Sequence, residues 1–212
     1  IISNNIIHRA IVIESKKKNI KSIKKILRIY KVDKKKFEIL NFGISNKNYV
    51  GTLYSNLDFN NFNKDHKRIR VKYRSLPNIL KNYKINNDIV FRINLEGQEL
   101  KLFQGAIKYF LNNNKISIFL NLYPVKYKKG EMEKIFKKLF NNGYKVRLLE
   151  TADNVMPYEF KKYGLIPFKT FKNSILFNNV TNDFVLKHAF APTFRLSKFD
   201  KRGYIDRIFK NI

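Results

Sequence analysis

No cysteine occurs in the 212 residues, which excludes disulfides and thiolate-ligated metals. Histidine is nearly as scarce. His8, His66 and His188 lie far apart, and zinc needs clustered nitrogen or sulfur ligands, so no metal site is expected. None of the three sits in a motif that would suggest a Ser/His/Asp arrangement. No run of about 18 uncharged apolar residues is present, so no membrane span is expected. The N-terminal residues also lack the apolar stretch of about 7–15 residues that a signal peptide requires. There is no P-loop, no GxGxxG and no internal repeat. The largest shortage is of negative charge: 16 acidic residues stand against 44 Lys and Arg, a net charge of +28.

That surplus attracts polyanions and resists self-association. RNA, DNA or an anionic membrane surface is therefore the expected class of partner. AT-rich codons would enrich Lys, Asn, Ile, Phe and Tyr together. Yet Asn, Ile and Phe carry no charge, and codon bias does not explain so few acids. A 44% apolar fraction with 15% aromatics is enough to build a core. The first residue is Ile1 rather than Met, which is expected of a fragment, a processed product or an unusual start codon.

Short apolar runs alternate with amphipathic ones. AIVIE (10–14) reads as a buried strand. NIKSIKKILRIYK (19–31) reads as a helix, with Ile20, Ile23, Leu27 and Tyr30 on one stripe. FEILNFGI (37–44) reads as a strand, and GTLYSNL (51–57) and IRVKYR (69–74) as a hairpin around an Asn-rich linker. DIVFRINL (88–95) is a strand, QELKLFQGAIKYFL (98–111) a helix, and ISIFLNLY (116–123) a strand stopped by Pro124. EMEKIFKKLF (131–140) is a helix closed by Asn142-Gly143. YKVRLLE (144–150) and SILFNNV (174–180) are the last strands. The expectation is one α/β domain over 1–186, built on a mostly parallel sheet with helices on both faces, followed by a basic extension over 187–212. Such sheets bind ligands at the carboxyl ends of their strands. Glu14, Asn94, Glu96 and Asn121 fall at or near those ends.

The basic residues cluster. Lys16, Lys17 and Lys18 precede a helix face bearing Lys21, Lys24, Lys25 and Arg28, and Lys34, Lys35 and Lys36 follow. Lys67, Arg68, Arg70, Lys72 and Arg74 crowd one expected strand, and Arg195, Lys198, Lys201, Arg202 and Arg207 lie in the tail. Any one cluster reads as a solvated face; together they read as a nucleic-acid-binding surface. Tyr73, Phe194, Phe199 and Tyr204 lie among them and either stack on unpaired bases or belong to the core.

Taken in order, AIVIES, FEILNFGIS, RSLPNIL, RINLEGQELKLFQGA, ISIFLNLYP and FNNGYKVRLLE resemble the FkbM-type methyltransferases, a branch of the class I S-adenosylmethionine-dependent fold, over roughly residues 9 to 150. The most specific piece is RINLEGQELKLFQGA, where Arg92, Glu96, Gly97, Glu99, Leu100, Gly105 and Ala106 match. The resemblance implies a Rossmann-like sheet. It implies that Glu14 holds the ribose hydroxyls of the cofactor, and that Glu96 with Gly97 positions an acceptor hydroxyl. Three departures stand out. The family's first strand and glycine-rich cofactor turn have no counterpart in IISNNIIHR, which is read as a truncation at the N-terminus. Asn94 stands where the family has Asp, and Asn121 where it usually has Glu. An amide cannot take up a proton at neutral pH or balance a cationic cofactor.

Two functions are expected from this. One is a non-catalytic, RNA-binding structural subunit of a large ribonucleoprotein such as a mitochondrial ribosome, surrounded by RNA and neighbouring proteins and holding no cofactor. The other is an S-adenosylmethionine-dependent O-methyltransferase acting on a sugar or other hydroxyl, with Glu96, Asn94 and Asn121 as its catalytic candidates. The location expected is the mitochondrial matrix or another organelle for the first, and otherwise the cytoplasm.

Overall fold

β-Branched residues at AIVI and FEIL favour extended backbone, and the Lys/Ile alternation between them favours a helix with one apolar stripe. The computed structural model describes residues 9–55, 67–85, 88–123, 126–128, 130–151, 156, 158–188, 194–196 and 199–200. The chain divides into two units, Ile1–Leu80 and Lys81–Ile212.

In the first unit, β1 (Ala10–Ile13) leads into α1 (Lys17–Ile29), a 3₁₀ turn (Lys34–Lys36) and β2 (Phe37–Leu40). β1 and β2 pair in parallel, Ala10 opposite Phe37 and Ile13 opposite Leu40. α1 ends in a Schellman motif: Lys31 N–H donates to Arg28 O and Val32 N–H to Leu27 O. Lys31 takes the left-handed position, at φ +48°. β3 (Gly43–Ser45), β4 (Tyr49–Ser55) and β5 (Lys67–Ser75) form a second sheet in the order β3-β5-β4, and α2 (Leu76–Leu80) follows directly. β3 lies parallel to β5, and β4 antiparallel to it. The single strand expected over 37–44 is thus two, broken at Asn41-Phe42, and each half joins a different sheet. The Tyr49 and Tyr73 rings explain two glycines. A Cβ at Gly43 would come 2.5 Å from the Tyr73 ring, and one at Gly51 would come 2.8 Å from the Tyr49 ring and 3.2 Å from that of Tyr73.

In the second unit, β6 (Ile89–Ile93), α3 (Glu99–Asn112) and β7 (Ile116–Leu120) form the central β–α–β element. β6 and β7 pair in parallel, with Ile93 opposite Leu120. α3 buries Leu102, Phe103, Ala106 and Phe110, with the rings of Phe103 and Phe110 5.3 Å apart. α4 (Glu131–Asn141) buries Met132, Ile135, Phe136 and Leu139. Its end is the Asn142-Gly143 stop expected from the sequence: Gly143 N–H reaches Phe140 O and Tyr144 N–H reaches Leu139 O. Tyr144 is fully buried and donates its hydroxyl hydrogen to Phe110 O at 2.9 Å.

The strand expected over 144–150 is also split. β8 (Lys145–Val146) and β9 (Leu149–Thr151) belong to different sheets. After them come α5 (Tyr158–Lys162), β10 (Lys169–Phe171), β11 (Ser174–Phe177), α6 (Asn182–His188), β12 (Phe194–Leu196) and β13 (Phe199–Asp200). The sheets run β6-β7-β13-β8 and β10-β11-β9-β12. Beyond residue 187, where no period is visible in the sequence, β12 pairs with β9 and β13 inserts between β7 and β8. The fold is α/β. Its parallel pairs (β1–β2, β3–β5, β6–β7) lie in the part read from alternation, and antiparallel strands extend it. No described helix is long and apolar enough to cross a membrane.

Candidate functional site

The best-defined polar construction follows β6. Glu96 and Gly97 both have positive φ, +51° and +104°, and Gln98 N–H closes the turn on Leu95 O. Two consecutive positive φ values are those of a type I′ turn. Gly97 suits that backbone, and a Cβ there would lie 2.7 Å from Lys126 Cβ. Glu96 occupies a conformation that a side chain makes costly. Its carboxylate is exposed.

Glu99 holds this turn in place. It is completely buried, and its carboxylate accepts from Leu95 N–H at 2.8 Å and Gly97 N–H at 2.9 Å. The Tyr127 hydroxyl also donates to it. Burial, reinforced by the hydrogen bond to Glu99, pushes the Tyr127 hydroxyl well above the ordinary tyrosine range, so it stays a donor. Acid at the start of the helix is expected from the motif, but the group satisfying backbone amides there is Glu99 and not Glu96.

The two amides at the strand ends are engaged. Asn94 Oδ1 accepts from the Tyr123 hydroxyl at 2.9 Å. Asn121 Oδ1 accepts from Arg92 Nη1 at 2.8 Å, while Asn121 N–H continues the sheet to Ile93 O. Each bond joins the end of β6 to the end of β7. So Asn94, Glu96 and Asn121 gather at one sheet edge, as their positions predict. The Arg92–Asn121 bond was not foreseeable from residue types alone. Opposed positions on adjacent parallel strands would have suggested it, since Arg92 pairs with Phe119, two residues before Asn121.

Glu14 belongs to the other unit. It follows β1, and its carboxylate accepts from Lys16 N–H at 2.7 Å and Asn19 Nδ2 at 3.0 Å. Ser15 Oγ lies 3.5 Å away. α1 has no acid in its first turn and no side-chain cap from its own N-cap residue, Lys16. Glu14 therefore supplies the negative charge that the start of α1 otherwise lacks.

Of the basic residues, Lys17, Lys18, Lys21, Lys24, Lys25 and Arg28 are exposed on α1, and Lys16 is half-buried at its start. Lys34 and Lys35 are exposed on the 3₁₀ turn that Asp33 caps, and Lys36 is half-buried. Arg68, Arg70, Lys72 and Arg74 are all exposed on β5, which begins at Lys67. Tyr73, on the alternate face, does not present its ring to a base: it stacks on Tyr49 with ring centroids 4.7 Å apart. Arg195 lies in β12, opposite Glu150. Phe194 and Phe199 lie in β12 and β13. Lys198, Lys201, Arg202, Tyr204 and Arg207 lie outside the described residues. Among the described residues no group of acidic or histidine side chains could hold a metal ion.

Residues 9–146 match the family described as the Methyltransferase FkbM domain. Among solved structures the chain is similar to the methyltransferase FkbM from Methylobacillus flagellatus KT, at 12% identity and a TM-score of 0.44. That match covers 80% of this chain and 36% of the other, so the chain spans about a third of that protein's length. No curated protein matches it significantly. With the strand-turn-helix of Arg92–Ala106 in place and about two thirds of its length matched, the chain belongs to the FkbM methyltransferase domain family.

Proposed function

We propose that this chain is a methyltransferase-fold subunit that binds RNA within a large ribonucleoprotein and transfers no methyl group itself. An organelle ribosome, such as that of the mitochondrial matrix, is the setting its AT-type composition and +28 charge fit. The observation that carries the reading is the state of the β6–β7 edge. The two groups that would face a cationic cofactor are neutral amides, each already bonded to a neighbour. One of those neighbours is the Arg92 guanidinium.

The fit of S-adenosylmethionine to these residues is poor on that ground. The sulfonium is positive, and the edge offers it neutral amide oxygens, each already accepting a hydrogen bond, and a guanidinium held on Asn121. A like charge held at short range costs binding energy rather than supplying it. Glu14 retains lone pairs beyond those its present donors use, so it could still accept from a diol. No reaction step follows from that alone.

Membership of the family favours the second reading, an O-methyltransferase for a sugar or other hydroxyl. The Glu96 carboxylate, exposed on a strained turn that Glu99 holds, is the group that would meet an acceptor hydroxyl. Calorimetric titration of the chain with S-adenosylmethionine separates the two. The RNA-binding reading expects no heat of binding in the micromolar range. A micromolar dissociation constant, abolished by Glu14→Ala, would establish the enzyme reading instead.

A further inference from the structure

The charged residues of the first unit are not spread evenly over its surface. β5 reads KRIRVKYRS, and its residues alternate in exposure: Arg68, Arg70, Lys72 and Arg74 face solvent, while Val71 is buried and Ile69 and Tyr73 are half-buried. The three strands of this sheet contain no acid. β4 contributes the exposed Val50 and Thr52, opposite Lys72 and Arg70. Arg74 rests against the Phe42 ring, 4.9 Å from its centroid, which fixes the end of the row. The side chains of Arg70 and Lys72 have no hydrogen-bond or ion-pair partner among the described residues.

We propose that this face of β5 is a track for the sugar–phosphate backbone of an RNA strand, read without regard to base sequence; the proposal rests on the RNA-binding reading above and names its surface. Alternate residues of a strand lie about 6.8 Å apart, so the row of cations extends over about 20 Å. Six covalent bonds separate successive phosphorus atoms of a nucleic acid, and an extended strand repeats its charge at a similar step. A rigid, regularly spaced row of cations is the arrangement that follows such a backbone. The rings of Tyr73 and Tyr49 turn to the other face and stack on each other, so neither offers a base a platform beside these cations, and the row itself contacts phosphate and sugar. An anionic membrane fits less well. Among the described side chains of these strands Val50 is the one large apolar group exposed, whereas membrane-surface elements insert an apolar face beneath their charges.

α1 supplies the internal control, because it carries more exposed cations, six against the four of β5, on a helical repeat. Arg70→Gln with Lys72→Gln removes two charges from the track; Lys21→Gln with Lys25→Gln removes two from α1. Each full-length variant is titrated with labelled oligouridylate and oligoadenylate over a range of salt, after its thermal melt is matched to that of the unmodified chain. Each phosphate contact contributes about 0.7 to the slope of log K against log salt. The track variant is expected to lose about 1.4 of slope and about tenfold in affinity at about 0.15 M salt, equally for both RNAs. The α1 variant is expected to lose less than half as much. Equal losses for the two variants mean that charge alone matters, and overturn the track while leaving RNA binding standing. A loss confined to one RNA overturns the backbone assignment. If the track variant keeps its RNA affinity but loses binding to phosphatidylserine vesicles, the surface is a membrane one. If the unmodified chain does not bind either RNA, the functional reading falls and the track with it.

Discussion

β1–α1–β2 and β6–α3–β7 follow one plan and differ in what covers them. In both, a short apolar strand ends near an acid, a helix follows, and the next strand returns parallel to the first. In the second element, α3 buries Phe103 and Phe110 completely, and Glu99 is wholly enclosed with three donors on its carboxylate. In the first, α1 has no buried residue, Ile26, Ile29 and Tyr30 are exposed, and Glu14 is only half-buried. An amphipathic period thus makes a helix in both places, but the neighbours decide how much of its apolar stripe leaves water.

That contrast can be broken most severely at Phe103. Phe103→Ala leaves a cavity in a closed core and should cost about 3–5 kcal/mol, measured by chemical denaturation. Next comes Glu99→Gln, which leaves at least one buried donor facing an amide NH₂ and should cost about 2–4 kcal/mol. Glu14→Gln, in the strand-to-helix turn of the first element, should cost about 1 kcal/mol or less, because water can replace the lost bonds. Equal losses for the two carboxylates would erase the distinction. Replacing Lys31 by Gly should stabilise the end of α1 by about 1 kcal/mol, since glycine takes the left-handed C′ position without strain.

The smallest effect is a pH dependence. The Tyr127 hydroxyl is held protonated in the folded chain, by burial first and by Glu99 second, while an unfolded tyrosine ionises near about pH 10. Its contribution is therefore complete below that pH and is lost as pH rises above it. The stability difference between the unmodified chain and Tyr127→Phe should shrink above about pH 10. A gap that stays constant to pH 11 would mean that the folded chain does not hold this hydroxyl protonated beyond the ordinary tyrosine range.

Much of this was legible in the sequence. The strand, turn and helix of RINLEGQELKLFQGA were, because apolar period, Glu-Gly and a long apolar helix all agree there. The edge formed by Asn94, Glu96 and Asn121 was, because they close consecutive parallel strands. Glu99 as keystone was less so. Its role depends on Tyr127 and on the backbone of Leu95 and Gly97, which only the folded turn brings within reach. The two split strands were missed because Asn41-Phe42 and Arg147-Leu148 carry no Gly or Pro to punctuate them. β12 and β13 were missed because strands of three and two residues are too short to show a period, and only their pairing partners define them.

The central claim is that the chain is kept for its positive surface. The most direct measurement is fluorescence anisotropy of a labelled, unstructured RNA titrated with the full chain at about 0.15 M salt, beside a neutral protein of similar size. RNA binding predicts saturable association far above that of the neutral protein, weakening steeply and log-linearly as salt is raised. Binding no tighter than the neutral protein's would contradict it.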